Sequence, residues 1–196
     1  SLPSDNPIYL HIFPEDQDEH EVSAYLNKDQ INKIASLPLK GLSLVRVKTE
    51  DLSALGNLKN LIYLSINIYE KDLKFIKKLT SLKSLKLQFI SNKDLKYISG
   101  LTNLQHLDLR SIMTADFYTN KITDEGLYYL RNLKNLEILH LTYTNIDGSG
   151  IKHLSKMKNL RFLNLLQCPI KNENDVKKKL KHIKLLKINF DDMGQL

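Results

Sequence analysis

A short leucine pattern, L-x-x-L-x-L, recurs seven times along this chain of 196 residues and constrains its fold more than any other feature. The first position of each copy falls at residues 39, 61, 82, 104, 136, 160 and 183, so successive copies lie 22, 21, 22, 32, 24 and 23 residues apart. Apolar residues at alternate positions are typical of a strand with one buried face. Strands that return at a nearly constant step predict a repeat architecture.

A second apolar period, with a spacing of three residues, follows most of these strands and predicts a short helix in each repeat. The clearest examples are Leu73-Ile76-Leu79, Leu95-Ile98-Leu101, Leu127-Leu130-Leu133 and Ile151-Leu154-Met157. Polar residues that can cap the amides of a helix start precede them, namely Asp72, Asp94, Asp124, Asp147 and Ser149. One such unit cannot bury its own leucines, so the repeats are expected to stack around a continuous core.

Stacked units of this size predict an α/β solenoid with a parallel sheet of about eight strands on its concave face and helices on its convex side. The crossover rule predicts that the solenoid is right-handed. We expect one continuous domain, with a capping strand and helix at residues 1–38, repeats at 39–170 and a capping repeat at 171–196. The N-terminal cap is indicated by apolar patterns at Ile8, Leu10 and Ile12 and at Ile31, Ile34 and Leu37.

Two segments of the later repeats carry a more specific motif. Ile122-Thr123-Asp124-Glu125-Gly126-Leu127, and Thr142 to Asp147 followed by Gly150-Ile151, resemble the T-x-I-x-D-x-G-L type of repeat of bacterial leucine-rich-repeat proteins. The resemblance extends over about residues 31–190. It implies a horseshoe-shaped solenoid of the leucine-rich-repeat class that binds another macromolecule. Because members of this family bind very diverse partners, the resemblance does not identify the partner.

The residues between the leucines of each strand should point out of the sheet, where a partner could bind. Seven of the fifteen aromatic residues fall at these positions or at the strand exits, although the framework requires none there. Aromatic residues and arginine are favoured in protein interfaces. The predicted partner-binding residues are Tyr63, Phe89, His106, Asp108, Arg110, Phe117, Tyr118, His140, Tyr143 and Phe162. In the alternative interpretation, the rings pack sideways on one another and stiffen the sheet.

The long fourth step places an insertion at the edge of this face. Leu109 and Ile122 are 13 residues apart, whereas the equivalent Leu141 and Ile146 are 5 apart, which leaves 8 extra residues near Ser111–Tyr118. A loop with apolar groups on a rigid scaffold can act as a recognition element. It can equally be a tolerated insertion that folds back onto the surface.

The sequence offers little support for catalysis. Asp108 and His140 should lie on neighbouring strands with Ser65 or Ser84 nearby, the residue types of a nucleophilic triad. An open parallel sheet, however, provides no enclosed pocket and no oxyanion hole. The histidines lack the ligand spacing of metal sites, and no phosphate-binding glycine loop is present. We therefore predict a protein without enzymatic activity, cofactor or metal.

The net charge of +7 leaves a second class of partner open. Lysines on the predicted helices could bind nucleic acid or another acidic surface; examples are Lys74, Lys77, Lys78, Lys96 and Lys152. These residues lie away from the aromatic face, so we favour a protein partner and expect a monomer in its absence. The roles of effector, adhesin and inhibitor all remain open.

The single cysteine, Cys168, excludes an intrachain disulfide and is predicted to be structural. It slightly favours a reducing compartment such as the cytoplasm, but secreted proteins can also lack disulfides, so a secreted effector remains an alternative. No apolar run reaches the length of a membrane span.

Overall fold

A computed structural model describes residues 7–13, 24–67, 72–111 and 121–188 of the chain. The strands in this part are β1 (Ile8–Ile12), β2 (Ala24–Leu26), β3 (Leu39–Val45), β4 (Val47–Thr49), β5 (Tyr63–Asn67), β6 (Ser84–Gln88), β7 (His106–Asp108), β8 (Ile138–His140), β9 (Phe162–Asn164) and β10 (Leu185–Lys187). The α-helices are α1 (Lys28–Ala35), α2 (Asn92–Leu95), α3 (Leu127–Leu130) and α4 (Glu173–Lys179). Short 3₁₀ helices occur at Ser53–Asn57, Leu73–Lys78, Asp124–Gly126 and Ile151–His153.

Eight strands form one parallel sheet in the order β1-β3-β5-β6-β7-β8-β9-β10. Neighbours in the sheet come from successive repeats, as a solenoid requires. The register is the one that the leucine pattern predicts, since the central leucine of each repeat pairs with the next: Leu42, Leu64, Leu85, Leu107, Leu139, Leu163 and Leu186. The predicted α/β leucine-rich-repeat solenoid is therefore confirmed at the level of strand number, direction and register.

The inward-facing leucines form one continuous core. Leu107, Leu139 and Leu163 are each 0% exposed, as are the helix-side residues Leu130 and Leu154. The strands cover one side of this core with their leucines, and the helical turns cover the other side. The two neighbouring repeats cover the remaining apolar surface of each repeat. Burial of a leucine side chain contributes about 1.5–3 kcal/mol, which makes this core the main source of stability.

The helical segments on the convex side, opposite the sheet, are shorter than the predicted helices, and several are wound as 3₁₀ helices. Four of them are 3₁₀ helices of three to six residues, and α2 and α3 have only four residues each. The apolar spacing of three explains this difference, because residues three apart lie on one side of a 3₁₀ helix. Within the described residues, no helix combines the length and apolar composition needed to cross a bilayer.

The N-terminal unit differs in part from its prediction. β1 and α1 are present, and Ile31 and Ile34 are buried, but Leu37 lies after the helix and is 41% exposed. An additional parallel pair, β2 with β4, was not predicted. At the other end, α4 packs Val176 onto the core and carries lysines on its outer side.

A row of asparagines joins neighbouring repeats at the start of the strands. Each asparagine directly precedes the first leucine of its repeat and donates from Nδ2 to a backbone carbonyl of the repeat before, at 2.9 Å. The donors are Asn103, Asn135 and Asn159, and the acceptors are the carbonyls of Thr80, Thr102 and Lys134. These bonds satisfy carbonyls at the ends of the convex turns, which are otherwise exposed.

A second inter-repeat contact explains the D-x-G motif. Asp124 accepts hydrogen bonds from the backbone nitrogens of Asp147 (2.7 Å) and Gly150 (2.6 Å) in the following repeat. A Cβ on Gly150 would overlap the backbone carbonyl oxygen of Asp124. Asn92, one repeat earlier, makes the same kind of bond to the nitrogen of Thr123 at 3.0 Å and lies against Gly126. Asp124, predicted to cap its own helix, therefore caps the next repeat instead.

We expect Leu139→Ala to lower the free energy of unfolding by about 2–5 kcal/mol, because it opens a cavity in the central row of the core. Urea unfolding followed by circular dichroism measures the change. Leu185→Ala is the matched control, because Leu185 is 47% exposed, and its effect should stay within about 0.5 kcal/mol. Equal losses for the two variants would contradict the assigned core.

We expect Asp124→Ala to lower the free energy of unfolding by about 2 kcal/mol, since it removes a charged acceptor shared by two backbone nitrogens. Asp72→Ala is the control in the same type of experiment. Asp72 bonds only to Lys74 in its own turn, through the backbone nitrogen and Nζ, and its side chain is 60% exposed. A smaller loss for Asp124→Ala than for Asp72→Ala would rule out a linking role for Asp124.

Candidate partner-binding surface

The outward-facing side chains of the sheet form two straight rows, as the leucine pattern predicts. The first row contains Tyr9, Gly41, Tyr63, Ser84, His106, Ile138, Phe162 and Leu185. The second row contains His11, Ser43, Ser65, Lys86, Asp108, His140, Asn164 and Lys187. Because parallel strands lie about 4.8 Å apart, each row is an evenly spaced series of side chains on a rigid support.

Two depressions lie side by side in the middle of this face. The first, of about 290 Å³, is lined by Tyr63, His106, Asp108 and His140 together with Lys86. The second, of about 390 Å³, is lined by Arg110 and Tyr143 together with Lys86, Gln88, Ser111, Thr142 and Asn164. The structure thus brings six of the predicted binding residues to two adjoining depressions, and Lys86 lines both of them.

The aromatic side chains on this face are half-buried rather than fully exposed. Tyr63, Phe89, Tyr143 and Phe162 all have intermediate exposure. The ring of Phe162 packs against the ring of His140, with centroids 4.9 Å apart. Sideways packing of rings, the alternative interpretation, therefore accounts for part of their burial, and the remaining ring surface faces outward.

The strand exits share a backbone conformation that is rare for large side chains. Arg46, Phe89, Tyr143 and Gln167 occupy equivalent places, two residues beyond the last leucine of the strand, and have φ values of 49°, 58°, 58° and 60°. This left-handed region is unfavourable for bulky residues by about 1–3 kcal/mol. The turn of the repeat imposes it, so that Phe89 and Tyr143 are held in fixed positions at the edge of the face.

Asp108 and Arg110 form a bidentate ion pair at the boundary of the two depressions. Arg110 donates from Nε to Oδ1 (3.0 Å) and from Nη2 to Oδ2 (2.8 Å) of Asp108, and its backbone nitrogen also bonds Oδ1. Burial alone would raise the pKa of Asp108, but the hydrogen bonds and charge of Arg110, together with the charge of Lys86, outweigh burial and lower this pKa. Asp108 is thus held ionised, and both of its oxygens are occupied.

His140 lies next to this pair in the second row, as predicted. Burial lowers its pKa, while the negative charge of Asp108 acts in the opposite direction. The Nδ1 atom of His140 is buried and has no hydrogen-bond partner in the protein. The bonds of Asp108 to Arg110, rather than to His140, also mean that the geometry of a catalytic triad is not assembled here.

Three further polar side chains on this face were not singled out from the sequence. Asn67 Oδ1, Gln88 Oε1 and Thr142 Oγ1 are buried atoms without a hydrogen-bond partner in the protein. All three belong to the third outward position of their repeats, immediately before the strand exit. The polar residues that recur at this position could have drawn attention to them. Buried unpaired polar atoms destabilise a fold, so that several of them on one face require an explanation.

The insertion predicted at Ser111–Tyr118 lies almost wholly outside the described residues, and this includes Phe117 and Tyr118. Its two flanks are ordered parts of the fold. Ser111 is buried and donates from its backbone nitrogen to the carbonyl of Thr142 at 2.9 Å. Lys121 donates in the same way to the carbonyl of Ile90 at 2.7 Å. Ser111, at the start of the insertion, also lines the second depression.

Metal binding and the reactivity of Cys168 are the remaining kinds of chemistry to consider. In the described part of the chain, no group of three or more His, Cys, Asp or Glu side chains is arranged to hold a metal ion. Cys168 is buried, and its Sγ donates to the carbonyl of Leu141 at 3.1 Å. Burial raises the pKa of this thiol, which keeps it protonated and unreactive. The geometry agrees with a structural role for Cys168.

Comparisons with solved structures identify the same architecture elsewhere. Internalin C2 from Listeria monocytogenes matches with a TM-score of 0.57 and 22% identity, over 86% of this chain and 77% of that one. The fold is a leucine-rich-repeat fold. A second leucine-rich-repeat match, an internalin (InlF) from the same organism, has a TM-score of 0.56 and 23% identity over 79% of this chain.

A plant leucine-rich-repeat structure is also similar. The ectodomain of the Arabidopsis thaliana receptor kinase GASSHO1/SCHENGEN3, in complex with CASPARIAN STRIP INTEGRITY FACTOR 2, matches with a TM-score of 0.55 and 21% identity over 81% of this chain. The matched region spans 49% of the internalin InlF chain and 19% of the plant ectodomain. No family model and no curated protein sequence matches the chain.

We expect the free energy of unfolding to fall as the pH is lowered from 7 to 5, in part because of His140. Its folded pKa is below that of the unfolded chain, so protonation below about pH 6.5 favours unfolding, and this effect ends below the folded pKa. The charges of Arg110, His106 and Lys187 oppose protonation, whereas Asp108 favours it. Urea unfolding at several pH values should show a weaker pH dependence for His140→Gln. An identical dependence in both proteins would contradict the assignment.

Proposed function

We propose that this chain is a scaffold without enzymatic activity that binds another protein on its concave face, with the segment at 111–118 contributing at the edge. The observation that carries the proposal is the concentration of half-exposed aromatic and charged side chains on the two central depressions. Such side chains are enriched at the energetic centres of protein interfaces. An effector, an adhesin or an inhibitor would all use the surface in this way.

The rigidity of the sheet supports this proposal. The face residues stand on strands whose backbone is paired on both sides from β3 to β9. Their positions are therefore fixed before binding, which reduces the entropy lost when a partner docks. Phe89 and Tyr143 are held further by the turn conformation at the strand exits. A preorganised aromatic surface is better suited to binding than to packing alone.

The similar structures support a binding role in general terms. The internalins share the repeat architecture, and the plant ectodomain was solved in complex with CASPARIAN STRIP INTEGRITY FACTOR 2. Identities of 21–23% transfer the fold to this chain but not a partner. The nature of the partner must therefore be inferred from this chain's own surface.

A basic cleft away from the concave face favours a second candidate function. Arg131, Lys134, Lys152, His153 and Lys156 line a cleft of about 420 Å³, together with Asn132 and Ser155. The guanidinium of Arg131 lies over the ring of Tyr128 at 3.4 Å, which fixes its orientation. A cluster of cations on adjacent repeats could bind nucleic acid or an acidic surface. Fewer aromatic side chains lie beside this cleft than on the concave face, so we rank this candidate second.

If the partner binds on the concave face, Tyr63→Ala should weaken binding at least tenfold, since a central aromatic side chain contributes about 2 kcal/mol or more. Displayed libraries of protein fragments provide binders, and the dissociation constant of each binder is then measured by surface plasmon resonance. Tyr128→Ala is the matched control, because Tyr128 is 46% exposed on the convex side. Binders that are lost with Tyr128→Ala and retained with Tyr63→Ala would overturn the assignment.

The nucleic-acid candidate predicts a different result. Binding of a labelled 20-nucleotide DNA would fall steeply between 50 and 200 mM salt and would weaken in Lys152→Gln. We expect no tight binding of this DNA near physiological salt. Submicromolar affinity under those conditions, lost in Lys152→Gln, would make the basic cleft the functional surface.

A further inference from the structure

The centre of the concave face carries a cation that forms no ion pair with a described carboxylate. Lys86 stands in the middle of β6, and neither an ion pair nor a hydrogen bond of its Nζ is present among the described residues. The nearest acid, Asp108, has both oxygens bound to Arg110. Asp108 is also the sole acidic residue in the described part of the two outward rows. The face therefore has an excess of positive charge at the point where its two depressions meet.

Beside this cation lies a buried acceptor without a donor. Gln88 is 6% exposed, and its Oε1 has no hydrogen-bond partner in the protein. It lines the second depression together with Lys86, two residues before it on the same side of β6. Their side chains leave the strand about 7 Å apart, the repeat of an extended chain. A ligand that fills this depression meets a cation and an acceptor at that spacing.

These two groups select between kinds of ligand. A carboxylate would neutralise Lys86, and an N–H group would satisfy Gln88 Oε1. An extended peptide with an acidic side chain offers both, because its backbone supplies an N–H at every residue other than proline. The phosphate oxygens of a DNA backbone are acceptors only and would leave Gln88 Oε1, in the orientation that it has here, without a donor. The half-exposed rings of Tyr63 and Tyr143 at either side would contact neighbouring apolar side chains.

We infer that the two depressions bind an extended protein segment whose Asp or Glu side chain pairs with Lys86, while its backbone donates to Gln88. This inference rests on the proposed function and names the chemistry of the partner. The Asp108–Arg110 pair remains intact in this arrangement and forms the wall between the depressions. Carboxylate recognition by Lys86 would fix the register of the segment on the face.

The experiment starts from a phage library of random 12-residue peptides selected on the wild-type protein. Enriched peptides should share an Asp or Glu next to an aromatic or aliphatic residue. The strongest is then synthesised with a fluorescein label, and its affinity is measured by fluorescence polarisation. Lys86→Gln should weaken binding about tenfold, the loss expected for one desolvated charge pair. Lys152→Gln, a lysine exchanged in the same way in the basic cleft, should leave the affinity unchanged.

A second variant separates recognition from structure. Gln88→Met should weaken binding about fivefold through loss of the acceptor, yet its Tm should not fall. In the free protein the Oε1 atom has no partner, so that its removal relieves a buried polar group. A lower Tm for Gln88→Met, together with unchanged affinity, would mean that Gln88 has only a structural role and would overturn its part in the inference.

A double-mutant cycle gives the decisive result. Exchanging the acidic residue of the peptide for its amide should weaken binding to the wild type about tenfold and have little further effect on Lys86→Gln. Independent losses, or peptides without acidic enrichment, would overturn the inference, and the proposed function would stand if Tyr63→Ala still weakened binding. Failure to select any peptide, or binding insensitive to Tyr63→Ala, would overturn both. A 20-nucleotide DNA that binds more tightly and depends on Lys86 would replace the peptide with nucleic acid.

Discussion

Burial of the inward leucines between neighbouring repeats is the interaction on which the rest of the structure depends. A single repeat places its leucines on one side of a strand and one helical turn, where its own atoms cannot cover them. Only the next repeat closes this surface, as the complete burial of Leu107, Leu139 and Leu163 illustrates. Stability in such a chain is approximately the sum of contacts between neighbours. The asparagine row and the bonds of Asp124 add directional contacts to the same interfaces.

The same constraint determines which residues form the face that we propose binds a partner. Once the leucines fix the register, every residue between them must point outward, because side chains alternate along a strand. The identity of Tyr63, Lys86 or His106 is then free of any packing requirement from the core. Residues at these places can be changed without altering the fold, so that the same architecture can carry different surfaces.

The features predictable from the sequence were those with a strict period. The leucine rows, the parallel register and the neighbouring positions of Asp108 and His140 all follow from the spacing, and the structure confirms them. The 3₁₀ winding was missed because a spacing of three also fits a short α-helix. The exposure of Leu37 was missed because α1 ends at its C-cap, Ser36, one residue earlier. The asparagine row carried a readable signal, since Asn103, Asn135 and Asn159 each precede the first leucine of a repeat.

The electrostatics of the face could be predicted only in part. Alternation places Asp108 and Arg110 on one side of the sheet, but their ion pair depends on the backbone turning just after β7. That pairing directs the hydrogen bonds of Asp108 to Arg110 rather than to His140 or Lys86, although the charge of Asp108 still acts on both. The burial of Gln88 Oε1 likewise depends on the neighbouring strands and the exit turns, which no local pattern specifies.

The two depressions lie in the repeats that can best tolerate the destabilising features found there. Unpaired buried atoms of Gln88, His140 and Thr142, together with left-handed turns at Phe89 and Tyr143, all weaken the free protein. They lie in central repeats, where each strand is supported by a neighbour on both sides. A terminal repeat, with one neighbour, has less core to offset such costs. Destabilising features of this kind are therefore best tolerated in the middle of the sheet, where the proposed binding surface lies.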